Sequence, residues 1–140
     1  MTQGAQTSQP KVFVSYASED KAFALDVVGG LERHGVPCWI SCRDIPAGRD
    51  FDHAIAAAME SCYAAVLLFS EHCNTSAYVL NEVRVLQEIG KLLIPFRIED
   101  ARPRDGLRTR LLGLQWIDGF REGDFALDQL VDALTLYHLE

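Results

Sequence analysis

An unbroken apolar run, Ala64-Ala65-Val66-Leu67-Leu68-Phe69, stands between two segments of helical periodicity. A strand with no polar residue to turn towards water is buried on both faces, and such strands belong to parallel sheets with helices above and below. The rest of the chain repeats the rhythm. Val12-Phe13-Val14-Ser15-Tyr16 is a short β-branched and aromatic strand. Ser18-Glu19-Asp20 supplies an N-cap with acidic first-turn residues, and a helix follows to His34 with Phe23, Val27, Val28 and Leu31 on one face. Gly35 ends it. Gly29 and Gly30 inside it cost about 1 kcal/mol each relative to alanine, which close packing against a neighbour would explain. Residues 36–40 form the second strand, with Pro37 suited to its start. Residues 41–50 read as a loop, followed by a helix with Phe51, Ile55, Ala58, Met59 and Cys62 on its buried face. After the apolar strand, residues 71–75 are a loop and 76–90 a helix. Leu92-Leu93-Ile94-Pro95-Phe96 is the fourth strand, although Pro95 removes a ladder donor. Residues 98–113 form a charged segment with one helical turn, and Leu114-Gln115-Trp116-Ile117 is the fifth strand. Leu127, Leu130, Val131, Leu134 and Tyr137 mark a final helix.

This alternation predicts an α/β fold: a flavodoxin-like open five-stranded parallel sheet of order 2-1-3-4-5, with helices on both faces. In that order the chain reverses between strands one and three, and ligands bind in the crevice outside the carboxyl ends of those strands. Those ends carry Ser15-Tyr16 and Ser70, and the helix leaving strand three carries Glu82. Tyr78 and Glu82, four residues apart, share a helical face beside the stripe of Val79, Val83, Leu86 and Gly90. Glu82 is therefore expected at the edge of the buried stripe, next to an aromatic ring and near the default pocket. A boundary Glu usually points at water. A carboxylate held in a crevice must instead be solvated, paired or used.

The length of 140 residues suits one domain, over residues 11–138, behind a polar lead-in over 1–10 that reads as disordered. A formal charge of -7 disfavours direct nucleic-acid binding. Arg97, Arg102, Arg104, Arg108 and Arg110 make a local basic segment, read as a solvated loop, with self-association as the functional alternative. No apolar run matches a membrane span, and the first ten residues lack the core of a signal peptide, so a cytoplasmic protein is expected. Cys38, Cys42, Cys62 and Cys73 show no C-x-x-C spacing and read as reduced thiols without metal; His34, His53 and His138 read as surface residues. There is no P-loop, no G-x-G-x-x-G after the first strand, no H-E-x-x-H and no G-x-S-x-G. Strand three ends in Phe69-Ser70, where a phosphoacceptor receiver would need an Asp.

Four boxes, in order and at the right spacing, resemble the Toll/interleukin receptor (TIR) domain family in its bacterial form. Val12-Phe13-Val14-Ser15-Tyr16 looks like the family's first strand. Arg43-Asp44-Ile45-Pro46-Ala47-Gly48 looks like its loop after strand two. Ser70 with Ser76-Ala77-Tyr78-Val79-Leu80-Asn81-Glu82 looks like its third segment. Leu93-Ile94-Pro95 looks like its fourth strand, where Pro is usual. The likeness covers residues 11–137. It implies an NAD+ glycohydrolase or cyclase that releases nicotinamide and leaves ADP-ribose or a cyclic isomer, with NAD+ as substrate and no cofactor. The catalytic residue of such enzymes is a Glu four positions after an aromatic, usually Trp; here Tyr78 precedes Glu82. The resemblance also implies activation by self-association through residues 44–48 (Asp44, Ile45, Pro46, Ala47, Gly48), as homo-oligomers or filaments in bacterial immune signalling, within a larger protein. The competing reading is a non-catalytic TIR interaction or scaffold module.

The chemistry suits a lone carboxylate. Nicotinamide leaves from a cationic pyridinium nitrogen as a neutral molecule, so no general acid is needed. What needs help is positive charge growing on the ribose, as in glycoside cleavage, and one ionised carboxylate supplies that. Tyr78 and Trp39 offer flat faces for stacking, set against the reading that both are core or boundary aromatics. Arg43 is a candidate for the pyrophosphate, set against a solvated loop Arg. Ser15, Tyr16 and Ser76 bring hydroxyls to the crevice, and Ser76 also suits a helix cap.

Overall fold

A computed structural model of the chain describes residues 9–139. Most of the expected lead-in, residues 1–8, lies outside the described residues. Strands β1 (Val12–Tyr16), β2 (Cys38–Trp39), β3 (Ala64–Phe69), β4 (Leu92–Arg97) and β5 (Ile117–Asp118) form one parallel sheet of order β2-β1-β3-β4-β5, as expected. β3 is central and all its residues are buried. Its alternate side chains serve opposite faces. Ala64, Val66 and Leu68 meet α1 (Lys21–Arg33) and α6 (Gly123–Leu139) through Ala24, Val28, Leu31, Leu130 and Leu134. Ala65, Leu67 and Phe69 meet α3 (Phe51–Ser61), α4 (Ala77–Glu88) and α5 (Asp105–Leu111) through Ile55, Met59, Val79, Val83, Leu86 and Leu107. Helices on both faces leave no side chain of β3 a route to water, which is why its run is apolar throughout.

Several boundaries differ from expectation for local reasons. Ser18 caps nothing: Ser18–Asp20 is a 3-10 turn entered from Ala17, and α1 starts at Lys21. Phe23 is exposed, and Ala24 takes its place on the buried face. Gly30 fits the close packing expected there: a Cβ would lie 2.7 Å from Cδ2 of Leu127, whose side chain would have to shift, because α6 packs directly on that backbone. Residues 41–50 are not all loop, since a short helix, α2 (Ser41–Asp44), fills their first part. The charged segment contains α5, which buries Leu107 and Leu111. Strand β5 lies at Ile117–Asp118, starting three residues later than the expected run and ending one residue beyond it.

Pro95 sits inside β4, in register with Leu67. Ile98 N donates to Phe69 O, so by the two-residue alternation the nitrogens of Phe96 and Ile94 also face β3. The nitrogen of Pro95 faces the β5 side, where pairing begins only at Phe96 with Ile117. The missing donor therefore costs the ladder nothing.

Candidate functional site

Among the described residues, two polar side chains are fully buried, Ser15 and Ser70, and each marks the carboxyl end of a strand at the topological switch. Ser15 shares a sheet face with Phe13 and looks towards α4. Its Oγ donates to Glu82 Oε1 at 2.7 Å, tying β1 to α4. Burial pushes the Glu82 carboxyl up from 4.5 to about 7, and the Ser15 hydrogen bond acts against that rise. No ion pair involves Glu82 among the described residues. Glu82 thus does not simply point at water, one of the readings the pattern left open. It is drawn in beneath the helix and held by one hydroxyl.

The carboxylate borders a cavity of about 300 Å³. β1 contributes Val14 and Tyr16, the following turn Ser18, and α2 contributes Ser41. Phe51 and Ile55 enter from α3; Ser76, Tyr78 and Glu82 enter from the start of α4. A second cavity of about 300 Å³ runs between α3 and α4 past Asp52, Met59, Asn81 and Val85, and shares Ile55, Tyr78 and Glu82 with the first. Glu82 therefore stands on the wall common to both. Tyr78 is 56% exposed and meets the ring of Phe51 edge-on, with centroids 5.7 Å apart and planes at 88°. The two rings form the lip of the crevice, so Phe51 is not the core residue its helical position suggested. Ser76 has both expected roles: its Oγ accepts from Val79 N at 3.2 Å and it lines the cavity. The Tyr16 hydroxyl lies 3.5 Å from Ser41 Oγ. Burial, first among its causes, raises the Tyr16 phenol to about 12, so it stays neutral and able to donate.

Three proposed substrate contacts do not line this cavity. Ser15 is fully buried and its hydroxyl is taken by Glu82, so it holds the carboxylate rather than meeting a ligand. Trp39 stacks on Phe13 at 5.4 Å with planes 12° apart and packs against the core. Arg43 turns away: its Nη1 meets Glu32 Oε1 at 2.9 Å, its Nε meets Asp44 Oδ1 at 2.8 Å, and its Nη2 donates to Cys38 O at 2.9 Å. Two carboxylates already occupy that fork. Asp44 also accepts from Ile40 N through Oδ2 at 2.8 Å, which pins α2. Of the proposed self-association loop, Asp44 belongs to α2 and Ile45 packs partly on the core, whereas Pro46, Ala47 and Gly48 are exposed, with Gly48 at φ 85°. Among the described residues no group of three or more His, Cys, Asp or Glu could hold a metal ion.

Sequence reasoning missed Val14, Ser18, Ser41, Phe51 and Ile55 as lining residues. Ser41 follows strand two directly, and the carboxyl edge of the sheet was the available signal for it. It also missed how Ser70 is used. Ser70 Oγ donates to Asp20 Oδ2 at 2.5 Å and accepts from His72 N at 3.2 Å, locking the end of β3 to the start of α1.

The fold has known counterparts. The TIR domain of the Toll-related receptor TRR-2 from Hydra magnipapillata is 17% identical, with coverage of 93% of this chain and 99% of that one, at a TM-score of 0.73. The TIR domains of the activated Roq1 resistosome, which recognises the pathogen effector XopQ, are 16% identical over 90% of this chain and 99% of that one, at a TM-score of 0.72. The RPS4 and RRS1 TIR domain heterodimer gives 17% identity, 94% and 100% coverage, and a TM-score of 0.66. At such identities these likenesses speak for the fold. No curated protein sequence matches. The family model described as "TIR domain" matches residues 12–134, from the start of β1 into α6, and the chain belongs to the TIR domain family.

Proposed function

We propose that this TIR domain cleaves the nicotinamide–ribose bond of NAD+, with Glu82 as its catalytic carboxylate. The observation that carries the reading is the Ser15–Glu82 hydrogen bond of 2.7 Å, which fixes a partly buried, otherwise unpaired carboxylate in the wall of the switch-point cavity. A purely structural Glu would gain little there, because burying it unpaired costs free energy. The C–N bond breaks with its electron pair passing to the pyridinium nitrogen, so nicotinamide departs neutral. The ribose is left cationic, and ionised Glu82 stabilises that charge. Water then attacks and gives ADP-ribose with loss of a proton; attack by a nitrogen of the adenine gives a cyclic isomer instead. Tyr78 and Phe51 offer flat faces at the lip, while Tyr16, Ser41 and Ser76 offer hydroxyls.

Self-association belongs to the same proposal. The Roq1 resistosome and the RPS4–RRS1 pair are assemblies of TIR domains. Here Pro46, Ala47 and Gly48 stand exposed close to α2, whose Ser41 lines the cavity. A second copy reaching this segment would act on the site through α2, as expected of a cytoplasmic signalling domain. No helix of the described residues is long and apolar enough to cross a membrane.

The test is NAD+ turnover by concentrated protein, read as nicotinamide release, for the parent chain and Glu82→Gln. Losing one preorganised charge should lower turnover by roughly a hundredfold or more. Equal turnover in the Gln variant would remove Glu82 from the chemistry. No turnover in either, with the fold intact, would favour the interaction module.

A further inference from the structure

A cavity of about 390 Å³ lies at the far side of the sheet's carboxyl edge, between the ends of β4 and β5 and helix α5. It shares no lining residue with the two cavities around Glu82. Its walls carry Arg97, Arg102 and Arg108, one carboxylate, Asp118, and the apolar side chains of Leu112 and Trp116. Arg97 is committed internally: Nε meets Asp118 Oδ1 at 3.0 Å, Nη1 donates to Ala101 O at 3.0 Å, and the guanidinium lies 5.3 Å from the Trp116 ring centre. Asp118 is thereby neutralised.

Arg102 and Arg108 are different. Neither has a carboxylate partner among the described residues, although neighbouring Arg104 is paired with Glu71. Two uncompensated cations thus face one concavity on a chain of formal charge -7. The backbone that carries Arg102 is fixed by Asn74. Asn74 Nδ2 donates to Arg102 O at 3.0 Å, and Asn74 Oδ1 accepts from Arg104 N at 2.9 Å, bracketing Pro103 directly after Arg102. Beside the cations, Leu112 is 68% exposed.

We infer that this cavity is a second binding site, built for a nucleoside diphosphate. Planar guanidinium forks match phosphate oxygens, and two of them suit two linked phosphates. Leu112, and the part of Trp116 that Arg97 and Phe69 leave facing the cavity, supply apolar surface for a base that inorganic phosphate would leave wet. The volume falls in the range of roughly 300–1,000 Å³ typical of small-molecule pockets. Fixing the backbone at residues 102–104 in advance removes the loop's share of the ordering cost, leaving only the side chains to order on binding. Nothing in the argument depends on Glu82.

The experiment titrates ADP into the folded domain by calorimetry, and follows the Trp116 and Trp39 indole N–H signals by NMR. ADP should bind and shift Trp116 while leaving Trp39 in place. Arg102→Ala with Arg108→Ala should weaken binding by roughly tenfold or more, since hydrogen bonds to charged groups are each worth about that. Both side chains are exposed and hold no partner, so the melting temperature should stay near that of the parent. Adenosine and pyrophosphate should each bind at least about tenfold more weakly than ADP. Undetectable ADP binding, binding untouched by the double variant, or shifts confined to the residues around Glu82 would overturn the assignment. Pyrophosphate binding as tight as ADP would overturn the nucleoside part of it.

Discussion

Replacing Glu82 by Gln should make the protein more stable above neutral pH while lowering turnover roughly a hundredfold or more. Gln keeps the length and an Oε1 to accept from Ser15, but cannot ionise. In the parent, burial raises the carboxyl from 4.5 to about 7, so the folded state resists a charge that the unfolded state accepts freely. Between these two values the native state binds more protons than the unfolded state, and stability falls as pH rises. The group's favourable contribution is fully present below about 4.5 and is lost by the time pH has passed about 7. At about 1.4 kcal/mol for each unit of pH, the ionised carboxylate costs the fold about 3 kcal/mol. That is an upper figure, because the cavity admits some solvent to Glu82. For a domain of this size it corresponds to a melting temperature raised by roughly 10 °C in Glu82→Gln. The assay is urea unfolding of both proteins from pH 5 to 8.5. The Gln variant should gain with pH and level off above about pH 7.5, with under about 1 kcal/mol between the two at pH 5. A pH-independent difference, or a less stable Gln variant at pH 8.5, would refute the reasoning. The gain would mark Glu82 as a group kept at a cost to stability, as functional carboxylates commonly are.

If Glu82 acts ionised, turnover should rise with pH through about 7. Ser15→Ala removes the interaction that lowers this value, so the rise should move to higher pH; an unshifted profile would show that Ser15 does not tune Glu82. Turnover per molecule should climb with protein concentration across a dilution series followed by light scattering. Gly48→Ala should blunt that climb, because an L side chain at φ 85° costs about 1 kcal/mol or more; equal dilution curves would exclude the segment from assembly. Thiol labelling of native protein should be fast at Cys42 alone, since burial protects Cys38, Cys62 and Cys73 and pushes their thiols to about 12, 11 and 11. Rapid reaction of more than one thiol would contradict the buried assignments.

The strand order was legible because parallel pairing and burial on both faces leave few sequences free: Ala64–Phe69 and its flanking helices imply their own arrangement. Glu82 was legible because four residues on a helix return to the same face, and because the switch point places that helix beside β1. Short edge elements were less so. β2 and β5 each pair through two residues, and α2 is closed by Asp44 reaching back to Ile40 N, which no periodicity announces. What the pattern could not supply was the choice of partner for polar side chains. Arg43 lies in a box that suggests phosphate, yet Glu32 from the preceding helix meets it in a two-pronged contact, with Nη1 to Oε1 at 2.9 Å and Nη2 to Oε2 at 3.1 Å. Ser15 and Glu82 are 67 positions apart and meet only once the sheet has formed. A polar group is read correctly from sequence when its partner lies within a turn or so, as with Ser76 and Val79 N. When the partner comes from another element, the competing possibilities differ by a few kcal/mol or less, and packing decides among them. The catalytic reading of Glu82 depends on this distinction. Its helical position made it a candidate, and the buried hydroxyl opposite it, supplied by a different strand, gives the carboxylate a fixed place in the crevice.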